Sequence, residues 1–128
     1  MGLAVLDTSV VIAWIDDHDT LHRRCVDAVR TAHRQHDLAI STVTYAEALV
    51  GALLRDEHAV QAVETFVRGA PVLALAPGMA GRAASIRADH GLALPDALIL
   101  GTAIELDADV VLTTDRRWMR VDPHVQVI

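Results

Sequence analysis

The sequence has no lysine, so arginine supplies all 11 of its basic residues. It has one cysteine, Cys25, which excludes an internal disulfide and a cysteine-built zinc site. Cys25 therefore reads as a small apolar residue of the interior. Aromatic residues make up only 3% of the chain, so its 52% hydrophobic content must build a core from Ala, Val, Leu and Ile. Long apolar runs are missing too: the longest uncharged stretch, residues 69–81, is interrupted by Pro71, Pro77 and Gly78 and is too short to span a bilayer. The first residues carry neither a basic region nor a cleavage site, so no signal peptide is expected and the location expected is cytoplasmic. The 128 residues fit one domain, 1–128. Basic excess is absent as well. The net charge of −6 counts against ordinary nucleic-acid binding unless carboxylates gather at one site and divalent cations neutralise them. Two such ions would cancel four of those six charges.

What is present is an alternation of short apolar runs and helical patterns. Strands are expected at 3–6, 38–40, 72–75 and 110–112, with a fifth at 125–128. Helices are expected at 10–15, 20–36, 43–54, 57–67, 77–90 and 95–106, and a short one after Asp115. Ser41 or Thr42 can cap the third helix, Gly91 ends the fifth and Pro95 opens the sixth. The strands are continuous apolar stretches without polar alternation, which is the pattern of a parallel sheet covered on both faces. The fold class expected is α/β, a three-layer sandwich with a short central parallel sheet flanked by helices.

In open α/β sheets, ligands bind at the carboxyl ends of the strands. Asp7 directly follows the first strand, and Asp115 closely follows the fourth. Asp109 precedes its strand and so lies at the opposite edge, roughly 20 Å away at about 3.3 Å per residue. Glu47 is the only charge between Ser41 and Leu54, and Asp96 sits in the first turn of an apolar helix. Each has a plain alternative: Asp7 and Asp115 as helix caps, Asp96 as a complement to the helix dipole, Glu47 as a solvated side chain. Together they would form a cluster that is costly unless protons or cations occupy it. Hard oxygen donors suit Mg²⁺ or Mn²⁺. One or two such ions would supply an activated water and charge neutralisation for phosphodiester hydrolysis. The hydroxyls of Thr8, Ser9 and Thr113 could orient water or a carboxylate, or simply cap.

Leu6-Asp7-Thr8-Ser9, Thr44-Tyr45-Ala46-Glu47, Leu94-Pro95-Asp96-Ala97 and Leu112-Thr113-Thr114-Asp115 resemble, in order and spacing, the motifs of PIN-domain nucleases. The likeness runs from the first strand to the last helix. It implies a single PIN-like nuclease domain in which Asp7, Glu47, Asp96 and Asp115 are the catalytic, metal-binding acids, with Thr113 assisting. The short form is similar to VapC-type toxins. That implies an Mg²⁺-dependent endoribonuclease acting on RNA, a cognate antitoxin as partner, and a homodimer. Where many relatives carry a further acid, two positions past Asp115, this chain has Arg117. The alternatives are a non-catalytic PIN-fold binding module and a DNA-directed 5′ or flap nuclease. A receiver domain needs a lysine that is absent, a haloacid-dehalogenase-like phosphatase an Asp at Ser9, and an adhesion module a Ser at Val11.

Arg116, Arg117 and Arg120 could hold RNA phosphates or form a solvated face. Arg23, Arg24, Arg30 and Arg34 read as surface. His18 with His22, and His33 with His36, have ligand-like spacing on a helix but read as solvated. Trp14 and Trp118 fit packing better than base stacking. The apolar surplus of the third and fourth helices could be a partner surface or a deep core.

Overall fold

A computed structural model describes residues 2–128. The strands are β1 (Gly2–Leu6), β2 (His36–Ser41), β3 (Val72–Leu73), β4 (Val110–Thr113) and β5 (Val125–Val127). The helices are α1 (Thr8–Ile15), α2 (His22–His33), α3 (Thr42–Leu53), α4 (Glu57–Gly69), α5 (Pro77–His90) and α6 (Leu94–Glu105), with a 3-10 turn at Arg116–Arg120. The strands form one parallel sheet in the order β3-β2-β1-β4-β5. The α/β sandwich read from the apolar runs is the architecture found.

Side-chain alternation explains the three layers. Leu6, Ile40 and Leu112 point to the face covered by α1–α4, where they meet Val10, Val29, Ala48 and Val63. Their neighbours Val5 and Val111 point to the other face and pack on Ile86, Ile99, Leu100 and Trp118. A strand buried on both sides has no use for polar alternation, hence the apolar runs. The chain winds outward from β1 through β2 to β3, then returns through α5 and α6 to β4 on β1's other side. This reversal moves the helices to the opposite face and opens a crevice at the carboxyl ends of β1 and β4.

Local chemistry sets the element ends. The Ser41 hydroxyl accepts the Thr44 amide at 3.0 Å to start α3, and Asp56 accepts Ala59 at 2.8 Å to start α4. Gly91 closes α5 in the left-handed region, φ 72°, with its amide on Arg87 O at 2.9 Å.

Two expected boundaries are corrected. The second helix stops at His33 instead of running to residue 36, because His36 pairs with Gly2 as the first residue of β2. His33 and His36 are thus on different elements. The third strand is shorter than expected because it finds partners only at Ile40 and Ser41. No helix among the described residues is long and apolar enough to cross a membrane.

Candidate functional site

Asp7 is the first residue beyond β1, and its amide extends the ladder by donating to Leu112 O at 2.9 Å. The side chain is 5% exposed. Its Oδ1 accepts the Thr8 amide at 2.7 Å, and its Oδ2 accepts the hydroxyls of Ser9 at 2.8 Å and Thr113 at 2.7 Å. Thr113, fully buried at the end of β4, reaches Asp7 directly across the crevice between β1 and β4. The capping alternative for Asp7 is also realised, since Thr8 opens α1. Three donors favour the ionised carboxylate, but burial outweighs them, and nearby Asp96 adds to it. The Asp7 pKa is raised to about 6.

The same hydroxyls tie the next loop down. Thr113 Oγ1 accepts the Asp115 amide at 3.1 Å and Ser9 Oγ accepts the Thr114 amide at 3.3 Å. Glu47 lies on α3, where its Oε1 accepts the Thr8 hydroxyl at 2.7 Å. Thr8 Oγ1 in turn lies 3.2 Å from the buried Thr44 Oγ1, itself 3.3 Å from Ser41 Oγ. Thr44 was not singled out in the sequence. The Ser-x-x-Thr spacing that makes it the capped residue of α3 also brings it here.

Asp96 is half-buried in the first turn of α6. Its pKa is raised, first by burial, then by the charges of Asp115 and Glu47. Asp115 caps the 3-10 turn and is held below the ordinary carboxylate range, chiefly by the Arg117 side chain. The charges of the four acids thus meet at Asp96, which acts on Asp7 and is acted on by Asp115 and Glu47. Among the described residues, the one tight group of possible ligand atoms, within 4.8 Å of one another, is Asp16, Asp17 and His18 in the loop after α1. Two of the four acids are pushed toward protonation, and all offer hard oxygens, so the donor set fits a divalent cation of the Mg²⁺ or Mn²⁺ kind.

The remaining candidates fall elsewhere. Asp109 stands at the amino edge, where it accepts the Leu3 amide at 2.7 Å. His18 pairs with exposed Asp17, whereas His22 contacts Ala13 O at 2.7 Å. Trp118 is fully buried, and Trp14 packs edge-on against Phe66 with ring centroids 6.0 Å apart. Arg116 and Arg120 are exposed, whereas Arg117 is committed to Asp115. An apolar groove of about 620 Å³ lies away from the acids between α2 and α4, lined by Trp14, Ile15, Val29, Ala62 and Phe66.

A parallel sheet whose carboxyl edge gathers acids around a buried, hydroxyl-held aspartate defines an acidic-cleft α/β protein. The profile of the PIN domain family matches residues 4–123, and the chain belongs to that family. Solved structures of a toxin and of toxin–antitoxin complexes share the fold. A chain of a toxin–antitoxin complex from Klebsiella pneumoniae is 25% identical, with a TM-score of 0.81 over 97% of this chain and 96% of that one. A chain of DNA-bound VapBC from Salmonella typhimurium is 25% identical, with a TM-score of 0.76 over 100% and 98%. VapC20 of Mycobacterium tuberculosis, a toxin that cleaves the sarcin-ricin loop, is 16% identical, with a TM-score of 0.68 over 84% and 86%. Comparison with curated protein sequences finds no significant relative.

Proposed function

We propose that this chain is the toxin of a toxin–antitoxin pair, an Mg²⁺-dependent endoribonuclease for which Mn²⁺ can substitute. The observation that carries the reading is Asp7, a carboxylate held by Thr113 and Ser9 in a site so buried that its pKa rises to about 6. A carboxylate kept there at that cost is suited to a cation rather than to capping alone.

Asp7, Asp96, Asp115 and Glu47 are the residues that would hold the ion. Bound there, it would supply an activated water and neutralise charge building on the phosphodiester. Thr113 and Ser9 fix the rotamer of Asp7 by donating to its Oδ2, while the Thr8 amide holds Oδ1, so the carboxylate is already in place. Thr8 orients Glu47 in the same way. Exposed Arg116 and Arg120, beside Asp115, supply positive charge for the RNA backbone without reading its sequence. An RNA substrate is in keeping with action in the cytoplasm.

Toxin–antitoxin complexes of similar fold support an antitoxin as the partner, and the apolar groove between α2 and α4 offers a surface for it. A homodimer would use the end of α3, where Val50, Leu53 and Leu54 are 57%, 70% and 83% exposed.

The test is RNA cleavage by the purified protein with Mg²⁺ or Mn²⁺. Cleavage should stop with EDTA and fall by at least about 100-fold in Asp7→Asn and Asp96→Asn. Cleavage that persists unchanged in either variant rules the mechanism out. Induced expression of the wild type should arrest growth, with Asp7→Asn relieving it.

A further inference from the structure

Arg117 is bound to the site itself. The Asp115 carboxylate caps the 3-10 turn by accepting the Arg117 amide at 2.9 Å. The Arg117 side chain then folds back onto the same carboxylate. Nε lies 3.0 Å from Oδ1 and 3.1 Å from Oδ2, and Nη2 is 2.6 Å from Oδ2. Backbone and guanidinium together engage both oxygens of Asp115, so a cation approaching that carboxylate shares it with a charge that does not titrate away.

The charges favour one ion over two. Asp7, Glu47, Asp96 and Asp115 carry four negative charges when ionised, and Arg117 reduces them to three. One divalent ion leaves a single negative charge. A second would have to enter against both the first ion and the guanidinium, at a carboxylate whose two oxygens already accept from Arg117. The Arg117 side chain remains 63% exposed, so its unused N–H groups face solvent, where a phosphodiester would approach.

We propose that Arg117 serves as the second cation of this site: the acids take up one divalent ion, and the guanidinium on Asp115 supplies the other positive charge facing the phosphodiester. The inference rests on the metal-site reading above.

The test is a Mn²⁺ titration of the full chain without RNA, followed by calorimetry and by electron paramagnetic resonance of free Mn²⁺. One ion per chain is expected for the wild type and two for Arg117→Asp, with Arg117→Ala gaining a weaker second ion. Two ions in the wild type, or a single ion of unchanged affinity in both arginine variants, would overturn the proposal. Because Arg117 lies on the surface, circular dichroism should show both variants folded, and the wild-type stoichiometry stands as a test without them. Asp96→Asn separates the two levels of the argument. If it leaves Mn²⁺ binding intact, the ion sits elsewhere and both readings fall. If it abolishes binding but the one-ion wild type cuts no RNA, the ribonuclease reading fails while the role of Arg117 stands.

Discussion

At the scale of single residues, Asp7 connects the fold to its chemistry. Its pKa in the folded chain is about 6, against an ordinary value of 3.8. Folding therefore disfavours its ionised form. Below the ordinary value Asp7 is protonated in both folded and unfolded chains and costs nothing. As pH rises from about 4 to about 6, the unfolded chain loses the proton first, and metal-free stability falls by on the order of 2–3 kcal/mol. Asp96 acts in the same direction. Asp115 acts oppositely, its contribution being lost as pH falls through and below the ordinary carboxylate range. Thermal melts in EDTA across pH 4–8 should show the wild type declining between pH 4 and pH 6, with most of that decline missing in Asp7→Asn. At pH 8 without metal, the variant should melt at or above the wild type. Mn²⁺ should raise the melting temperature of the wild type only, because an ion that binds the folded state stabilises it. A large loss of stability in Asp7→Asn at every pH would favour capping as the residue's whole role.

At the scale of elements, the pairing of α5 with α6 decides where Asp96 stands. A Cβ added at Gly101 would lie 3.0 Å from Met79 O and 3.1 Å from Ala83 N, both backbone atoms of α5. A side chain there would require the α5 backbone to give by a few tenths of an ångström, so glycine suits the close approach that sets the position of the first turn of α6. Gly101→Ala should cost about 1–3 kcal/mol and lower the melting temperature by several degrees. Because Asp96 would move with its helix, Mn²⁺ affinity should fall as well. Unchanged melting and unchanged affinity would show that the two helices yield freely.

At the scale of the whole molecule, apolar surface is left over among the described residues after the sheet is covered on both faces, and two stretches of it stand out. One is the groove between α2 and α4, lined by Trp14 and Phe66, and the other is the end of α3. A monomer has no use for Val50, Leu53 and Leu54 exposed side by side, since burying each would contribute about 1.5–3 kcal/mol. Leu53→Glu combined with Leu54→Glu should convert a dimer to monomers in light scattering and leave the melting temperature of the dilute protein nearly unchanged. A wild type that is monomeric at high concentration would remove α3 as a self-association surface.

The parallel class was legible because strands buried on both faces must be apolar throughout. The carboxyl-edge positions of Asp7 and Asp115 followed because each comes just after its strand. Ser41 and Gly91 were readable as stops because capping is local chemistry between neighbours. Contacts made across the chain were not readable. Asp96 follows a helix and a turn, so only the packing of α5 against α6 could bring its charge toward Asp7 and Asp115. The end of α2 was misplaced because pairing of His36 with Gly2, a partner far away in sequence, overrides a helical pattern. Arg117 read as a phosphate contact or a solvated arginine until the turn after β4 folded it onto Asp115. Sequence alone thus determined which residues stand at which strand ends. Tertiary structure decided how deeply they are buried and which charges they meet, because burial and Coulomb interaction depend on distances through space.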